Sequence, residues 1–418
     1  MKSSKTIIVG AGASGLMATN QLAKAGVKVI LIEKKHQLGL KLRITGKGRC
    51  NLTNVCSKEE FLNHISSSDF FIPSFNYFNN QDLIDFFENK GVELVVERGN
   101  RIYPKSNKAT DIFFALLRDV EYNENVEIHK NCEVKHLIVE EGKAIGVIAN
   151  GEKIFADNVI ICTGGKSYPT TGSTGDGYRI LKMLGHNIVT PIPILVGLRT
   201  TNGYPSSLQN VEIKNCEVIV TDNNKNIITT HFGDICLDEY GVTGPIVLTI
   251  SREIARKFDN GKRMFLTVDF KPKIYQDRLY EEILKTFKSR RTENVSSIVR
   301  KWVPKPMVNE ILQVCKINPK IMGYKLTDKD AKTLLWYLKC RRQEIVGTMG
   351  WKEAIITAGG VSLNDVNKWS LESKKVPNLY IVGELLDLDA DTGGYNLQIA
   401  FSTAVKAVQS IIKRYTSL

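Results

Sequence analysis

A short apolar run over residues 6–9 stops at Gly10-Ala11-Gly12-Ala13-Ser14-Gly15. A helical pattern carrying Leu16, Met17, Leu22 and Ala23 comes next, Gly26 ends it, and a second apolar run over residues 27–32 delivers Glu33. This G-x-G-x-x-G between two runs of strand character constrains the fold more than any other feature of the chain: it predicts a parallel β-α-β unit. Gly10 permits the tight turn, Gly12 lets backbone approach a pyrophosphate, and Gly15 lets helix and strand pack closely. The helix start supplies amide donors and partial positive charge to the phosphate. A carboxylate at Glu33 suits both hydroxyls of an adenosine ribose and repels a 2′-phosphate.

This unit binds a dinucleotide without choosing which. The choice rests on the residues beyond Glu33. Residues 34–53 read KKHQLGLKLRITGKGRCNLT, where Gly39, Gly46 and Gly48 alternate with Lys34, Lys41, Arg43, Lys47 and Arg49. Such a flexible basic stretch can wrap a diphosphate and then bring amides to a flat ring, where an NAD domain would have an ordinary helix. A buried strand over 159–162 runs into Thr163-Gly164-Gly165, and a second glycine-rich turn over 170–177 includes Asp176. Near the C-terminus a strand over 379–382 ends in Gly383-Glu384. Asp387, Asp389, Asp391, Gly394, Tyr395, Asn396 and Leu397 then lead into a helix expected over 399–415. The start of that helix suits the flavin edge where negative charge develops on reduction.

The GAGASG unit, the TGKGRCNLTN loop (with Gly46, Gly48, Arg49, Cys50 and Asn51), the TGG and TGDG turns and the terminal GELLDLDADTGGYNLQ together resemble the YhiN/BaiN-type flavoproteins. That group includes aminoacetone oxidase and is more distantly similar to fumarate reductase flavoproteins. The resemblance spans nearly the whole chain and implies non-covalent FAD. It would place Gly12, Ala13, Ser14 and Gly15 on the pyrophosphate, Glu33 on the ribose, and the backbone of Val134 on the adenine. Thr163, Gly164, Gly165, Asp176, Glu384, Asn396 and Leu397 would line the rest. Asp176 and Glu384 have a plainer reading as turn or cap carboxylates. Tyr395 and Arg49 can stand near the ring or serve only as structural contacts. Cys50 reads as a buried thiol rather than a flavin attachment point.

The fold class expected is α/β: a Rossmann-like FAD-binding domain interrupted by a β-barrel-like domain and a helical subdomain. Its pieces run 1–190, 191–273, 274–340, 341–356 and 357–418. Short strands are expected over 211–213, 216–221, 227–230 and 264–270, with a turn at 222–226. Helical stripes come after them at Tyr280, Ile283, Leu284 and Phe287 and at Val308, Ile311, Leu312 and Cys315. Thr327 to Asp330 resembles a capping box. In the family's G-[IL]-[ST]-G-P segment this chain reads Gly241-Val242-Thr243-Gly244-Pro245, but Asp238 stands where threonine is more common.

The eight cysteines show no C-x-x-C pair, so neither a zinc site nor a dithiol motif is expected. No apolar run is long enough to span a bilayer and the first residues carry no secretory pattern, which gives a cytoplasmic expectation. Formal charge is +13. The clusters at Lys34-Lys35, residues 288–291, Arg341-Arg342 and Lys374-Lys375 read as a spread, solvated basic surface, so no nucleic-acid partner is expected.

The expected activity is hydride transfer between flavin and a small or medium organic substrate, such as reduction or desaturation of a ketosteroid-like acid. NAD(P)H stands as a transient donor, since no second dinucleotide motif is visible. Oxidation of an aminoacetone-type amine by oxygen is the alternative, and an RNA-binding or tRNA-modifying flavoprotein ranks below both. None of the six histidines sits in a recognised catalytic motif, so no acid or base is assigned. Substrate identity and oligomeric state are not set by the sequence.

Overall fold

The computed structural model describes residues 5–259 and 261–416. The expectation about the first residues falls partly on residues 1–4, which lie outside the described residues. The chain divides into two compact units, Met1–Pro193 with Ile355–Leu418, and Ile194–Ala354.

The first unit is organised by a five-stranded parallel sheet. Its order is Leu379–Ile381, Asn158–Ile161, Lys5–Val9, Lys28–Ile32, Val126–His129. Ile8 pairs with Leu31 on one side and Ile160 on the other. All three side chains are essentially fully buried, as expected of a parallel strand covered on both faces. Each such residue removed from water contributes about 1.5–3 kcal/mol, which is why these strands read as unbroken apolar runs. Helix Ala13–Lys24 packs against the terminal helix Tyr395–Thr416. A three-stranded antiparallel sheet, Val134–Glu140, Lys143–Ala149 and Glu152–Phe155, extends from the sheet's rim.

Two local readings change. The stretch after Glu33 is not wholly irregular: Gly39, in the left-handed region at φ 64°, opens a short helix, Leu40–Ile44. The terminal helix starts at Tyr395, four residues earlier than expected, because Gly393 and Gly394, both at positive φ, end the preceding turn. Tyr395, Asn396 and Leu397 therefore occupy its first turn.

The second unit holds a closed six-stranded barrel. Around it run Leu198–Thr200, Gly241–Thr243, Ile227–Asp238, Glu212–Asp222, Met264–Asp269 and Arg342–Thr348. The expected turn at 222–226 is present, with Asp222 accepting from the Asn224 and Asn226 amides at 2.8 and 2.9 Å. Helix Pro245–Asp259 was not anticipated. Its apolar stripe of Val247, Ile250 and Ile254 is buried in the unit's core. Helices Gln276–Ser289, Val308–Val314 and Asp328–Lys339 share that core with the barrel, through Ile283, Phe287, Ile311 and Tyr337 against Leu266 and Ile345. The capping box forms as read, Thr327 and Asp330 each bonding the other's backbone.

The basic excess is not spread as expected. Over residues 271–342 Lys and Arg outnumber Asp and Glu by 18 to 7, so most of the +13 sits in the helical part of the second unit.

Candidate functional site

The carboxyl ends of the parallel strands bring together Gly10, Glu33, the Thr163–Gly165 turn and Gly383-Glu384. The first strand ends at Val9, and Gly10 turns the chain into helix Ala13–Lys24. A Cβ on Gly15 would lie 1.9 Å from the Gly10 carbonyl oxygen, so the helix touches the turn and only hydrogen fits. A Cβ on Gly12 would meet nothing within 4 Å. No side chain caps the helix and no acid stands in its first turn. Its first amides therefore have neither a side-chain cap nor an acid of their own turn to offset their partial positive charge, which fits a phosphate.

Glu33 stands at the end of the second strand. Its carboxylate accepts from the Ala11 amide and the Lys35 amide, both at 2.9 Å, and so is fixed against the glycine turn. Its carbonyl accepts from the Cys132 amide at 3.0 Å, two residues before buried Val134. Lys34 reaches the glycine-rich turn instead, bonding Thr174 at 2.6 Å and pairing with Asp176. Burial alone would raise the Asp176 carboxyl, but hydrogen bonds from Lys34, Thr174 and Arg179 outweigh it and hold its pKa below the ordinary value. Asp176 is thus a lysine partner on the first turn of helix Asp176–Met183, whose cap position is Gly175 and which no side chain caps.

Glu384 gathers four segments. One carboxylate oxygen accepts from the Thr357 amide and the Ser167 hydroxyl, both at 3.0 Å. The other pairs with Lys41 at 2.7 Å and lies 3.4 Å from the Gly165 amide. Lys41 also bonds Ser167 at 2.6 Å. The Thr163-Gly164-Gly165 turn is held here: a Cβ on Gly165 would fall 2.3 Å from the Thr357 hydroxyl. The Thr163 hydroxyl is buried without a hydrogen-bond partner among the described residues. Ser167 and Thr357 carried no side-chain signal in the sequence, since their partner lies 217 and 27 residues away.

The two chain ends meet at two places. Gly383 approaches the first helix so closely that a Cβ would fall 2.3 Å from the Ser14 hydroxyl oxygen. Gly394 lies against Thr53, where a Cβ would come within 2.5 Å of backbone. The Asn51 amide joins the same pair of segments, accepting from the Gly394 amide at 3.1 Å and donating to the Thr53 carbonyl at 3.2 Å. The loop between is tight, with Gly46, Lys47, Gly48 and Cys50 all at positive φ.

Several of the remaining side chains are engaged with protein partners. Arg49 lies over the Tyr103 ring at 4.4 Å, bonds Asn107 at 2.7 Å and pairs with Glu97. Tyr395 is 4% exposed, stacks on His64 at 4.4 Å and meets Phe61 edge-on at 4.8 Å. Asn396 is spent on the backbone of Ala390 and Asp391, and Leu397 packs on the core. Cys50 is fully buried, and burial pushes its thiol pKa well up. His64 pairs with Asp391 at 2.8 Å, a contact that no sequence spacing announced.

The HI0933-like protein Rossmann domain family matches residues 4–410. At least three curated relatives cover nearly the full length. The 3-dehydro-bile acid delta(4,6)-reductase of Clostridium scindens is 28% identical over 413 residues, 97% of this chain and 98% of that protein. The ribosomal RNA dihydrouridine synthase of Escherichia coli is 27% identical over 417 residues, 98% of each chain. Among solved structures, 3-ketosteroid delta1-dehydrogenase from Sterolibacterium denitrificans superposes with a TM-score of 0.51 at 13% identity, covering 99% of this chain and 100% of that one, a likeness of fold alone. Among the described residues no helix is long and apolar enough to cross a membrane. A family match over almost every residue, on a sheet whose strand ends carry the glycine turn and its acid, establishes that the chain belongs to the HI0933-like Rossmann family and is an FAD-dependent oxidoreductase.

Proposed function

We propose that the chain reduces a carbon–carbon double bond conjugated to a carbonyl. The observation that carries this reading is the convergence of both chain ends on the uncapped helix beside Gly12, in a chain with near-full-length relatives that act on such bonds. A 3-dehydro bile acid with 4,6 unsaturation is a conjugated ketone. Dihydrouridine is uridine whose ring double bond, conjugated to a carbonyl, has been reduced.

Gly12, Ala13, Ser14 and Gly15 would hold the pyrophosphate through backbone amides, with Gly10 shaping the turn, Glu33 on the adenosine ribose and the Val134 backbone by the adenine. Lys34 and Asp176 would close the adenosine side. Lys41 and Glu384 would set the Thr163–Gly165 turn toward the ribityl chain and ring, with Gly383 keeping the first helix close. Gly46, Gly48, Arg49, Cys50, Asn51, Gly394, Tyr395, Asn396 and Leu397 would shape the ring pocket through backbone. For Arg49, Tyr395 and Asn396 the side-chain partners favour support over direct chemistry. Bound FAD, held without a covalent link, supplies a hydride. The chain's part is to position acceptor and cofactor and exclude water.

The electron donor is proposed to be NAD(P)H, binding transiently. Anaerobic titration of the purified protein with NADH, NADPH and aminoacetone tests this. Bleaching of the flavin band by a nicotinamide and not by aminoacetone is the expected result; bleaching by aminoacetone alone would turn the reading to an amine oxidase.

A second reading takes uracil in RNA as the reduced ring. The 18 to 7 excess of cations over residues 271–342 favours it, since a phosphate backbone is the partner that rewards such a surface.

A further inference from the structure

On helix Gln276–Ser289 the buried face is Leu279, Ile283, Thr286 and Phe287. The opposite face is exposed and carries Lys285 and Lys288, with Glu281 one turn earlier. Arg291 continues this face past the helix end. Its carbonyl accepts from the Tyr324 amide at 3.0 Å, and the Gly323 amide donates to the Glu293 carbonyl at 2.9 Å. A Cβ on Gly323 would fall 2.4 Å from the Arg290 carbonyl oxygen, so the 323–325 turn is fitted directly against the helix end. Two segments distant in sequence are thereby made one surface.

That surface presents Lys285, Lys288, Arg291 and Lys325, all exposed, together with Tyr324, which is 57% exposed. The Lys325 ammonium lies 5.8 Å from the Tyr324 ring centre. Among the described residues none of these four cations is paired with a carboxylate, whereas Arg290, Lys301 and Lys332 nearby each are. A solvated basic face needs no aromatic ring. An exposed ring among unpaired cations combines the two elements that hold a nucleic-acid strand: charge for phosphates and a flat face for a base.

We infer that this face of the second unit is an RNA-binding surface, with Lys285, Lys288, Arg291 and Lys325 on phosphates and Tyr324 stacking on an unpaired base. The inference rests on the RNA reading of the function for its partner and adds where on the chain that partner is held. Charge complementarity selects a polyanion, and the exposed ring beside Lys325 selects a strand with accessible bases over an anionic lipid surface.

The test uses the FAD-loaded full chain and a fluorescein-labelled stem-loop RNA with a uridine-containing loop, in fluorescence anisotropy across a salt series. One variant carries Lys285→Glu, Lys288→Glu, Arg291→Glu and Lys325→Glu. A control carries Lys24→Glu, Lys143→Glu, Lys153→Glu and Lys182→Glu, an equal charge change on exposed lysines of the first unit. The first variant should bind more than tenfold more weakly, and its slope of log affinity against log salt should flatten by about 3, given roughly 0.7 per phosphate contact. The control should keep most of the wild-type slope. Tyr324→Ala should weaken binding about tenfold and Tyr324→Phe hardly at all, as stacking requires. Unchanged flavin absorbance and melting temperature certify the fold of each variant.

Equal losses in the two charge variants, wild-type binding by the first, or no RNA binding by the parent chain would each overturn the inference. So would loss of binding to phosphatidylglycerol vesicles with RNA affinity untouched. Binding is read without a donor, so its outcome is independent of turnover. A chain that binds RNA here yet reduces no uridine keeps this surface and removes the second reading, and reduction of uridine without binding here does the reverse.

Discussion

The two units solve different problems with different kinds of residue. In the first, function is concentrated in backbone: glycine turns at strand ends, uncapped helix amides, and a few carboxylates tied to nearby amides. In the second, the core is ordinary and the distinguishing property is surface charge. A backbone site tolerates almost no substitution at its contact points, because an added Cβ meets main chain at Gly15 and Gly394, side chain at Gly165 and Gly383, and the proposed ligand's space at Gly12. A charged face tolerates the loss of any single charge and loses its charge-dependent binding only by accumulation. The contrast predicts where damage should be sharp and where it should be graded.

The largest effects should come from the glycine turn. Gly15→Val should prevent folding of the first unit, since even its Cβ overlaps the Gly10 carbonyl. Gly12→Val should leave the fold intact and abolish FAD retention, since its side chain meets no protein atom within 4 Å at Cβ. Soluble expression, circular dichroism and bound-flavin absorbance separate the two; equal behaviour would break the claim that Gly12 faces ligand and Gly15 faces protein.

Next in size is a change confined to the second unit. Arg341 is held by Glu310 at 2.8 Å and lies over the rings of Tyr204 and Tyr337, at 5.3 and 4.9 Å. Burial alone would lower the Arg341 pKa, but the surrounding tyrosines and Glu310 carry it above its ordinary value. Glu310→Ala strands this buried cation and should cost about 3–5 kcal/mol in urea unfolding, with bound-flavin absorbance of the folded protein unchanged. Loss of flavin at native urea concentrations would blur the division of labour between the units.

The smallest effect is a pH dependence in the first unit. His186 is buried, its ring nitrogens meeting the Leu181 carbonyl at 3.1 Å and the Ser373 hydroxyl at 2.8 Å. Burial lowers its pKa below the ordinary 6.5. The neutral ring is therefore the folded form, and its stabilising contribution is complete above that ordinary value and is lost as pH falls through the lowered folded value. Melting temperature should decline on acidification below about 6.5, and His186→Gln should flatten that part of the decline. A steeper decline in the variant would contradict the sign.

The sequence made the first unit's sheet legible because a parallel strand buried on both faces has no polar alternation, as in Ile7-Ile8-Val9 and Val159-Ile160-Ile161. The glycine turn was legible because backbone geometry dictates residue type there. Helix Pro245–Asp259 went unread, only its first residue having been named as the end of the Gly241–Pro245 segment, although the stripe Val247, Ile250, Ile254 carries the helical spacing. Side-chain partnerships were the least legible. Glu384 was picked out by its place after a strand, but its grip on Ser167, Thr357 and Lys41 depends on how distant segments converge, and no local pattern encodes that. The charge excess was visible by counting but was read as scattered. Only the pairing of the 291 and 324 backbones shows that two distant segments form one surface carrying an exposed ring.

The sharpest measurement is re-oxidation of the photoreduced protein under anaerobic conditions, with a 3-oxo-4-ene steroid acid and a uridine-containing RNA as separate acceptors. The flavin band should return with at least one of them, and that product should gain two hydrogens by mass. Full reduction followed by no re-oxidation with either acceptor, and prompt re-oxidation by oxygen alone, would contradict the assignment of a conjugated double bond as the acceptor.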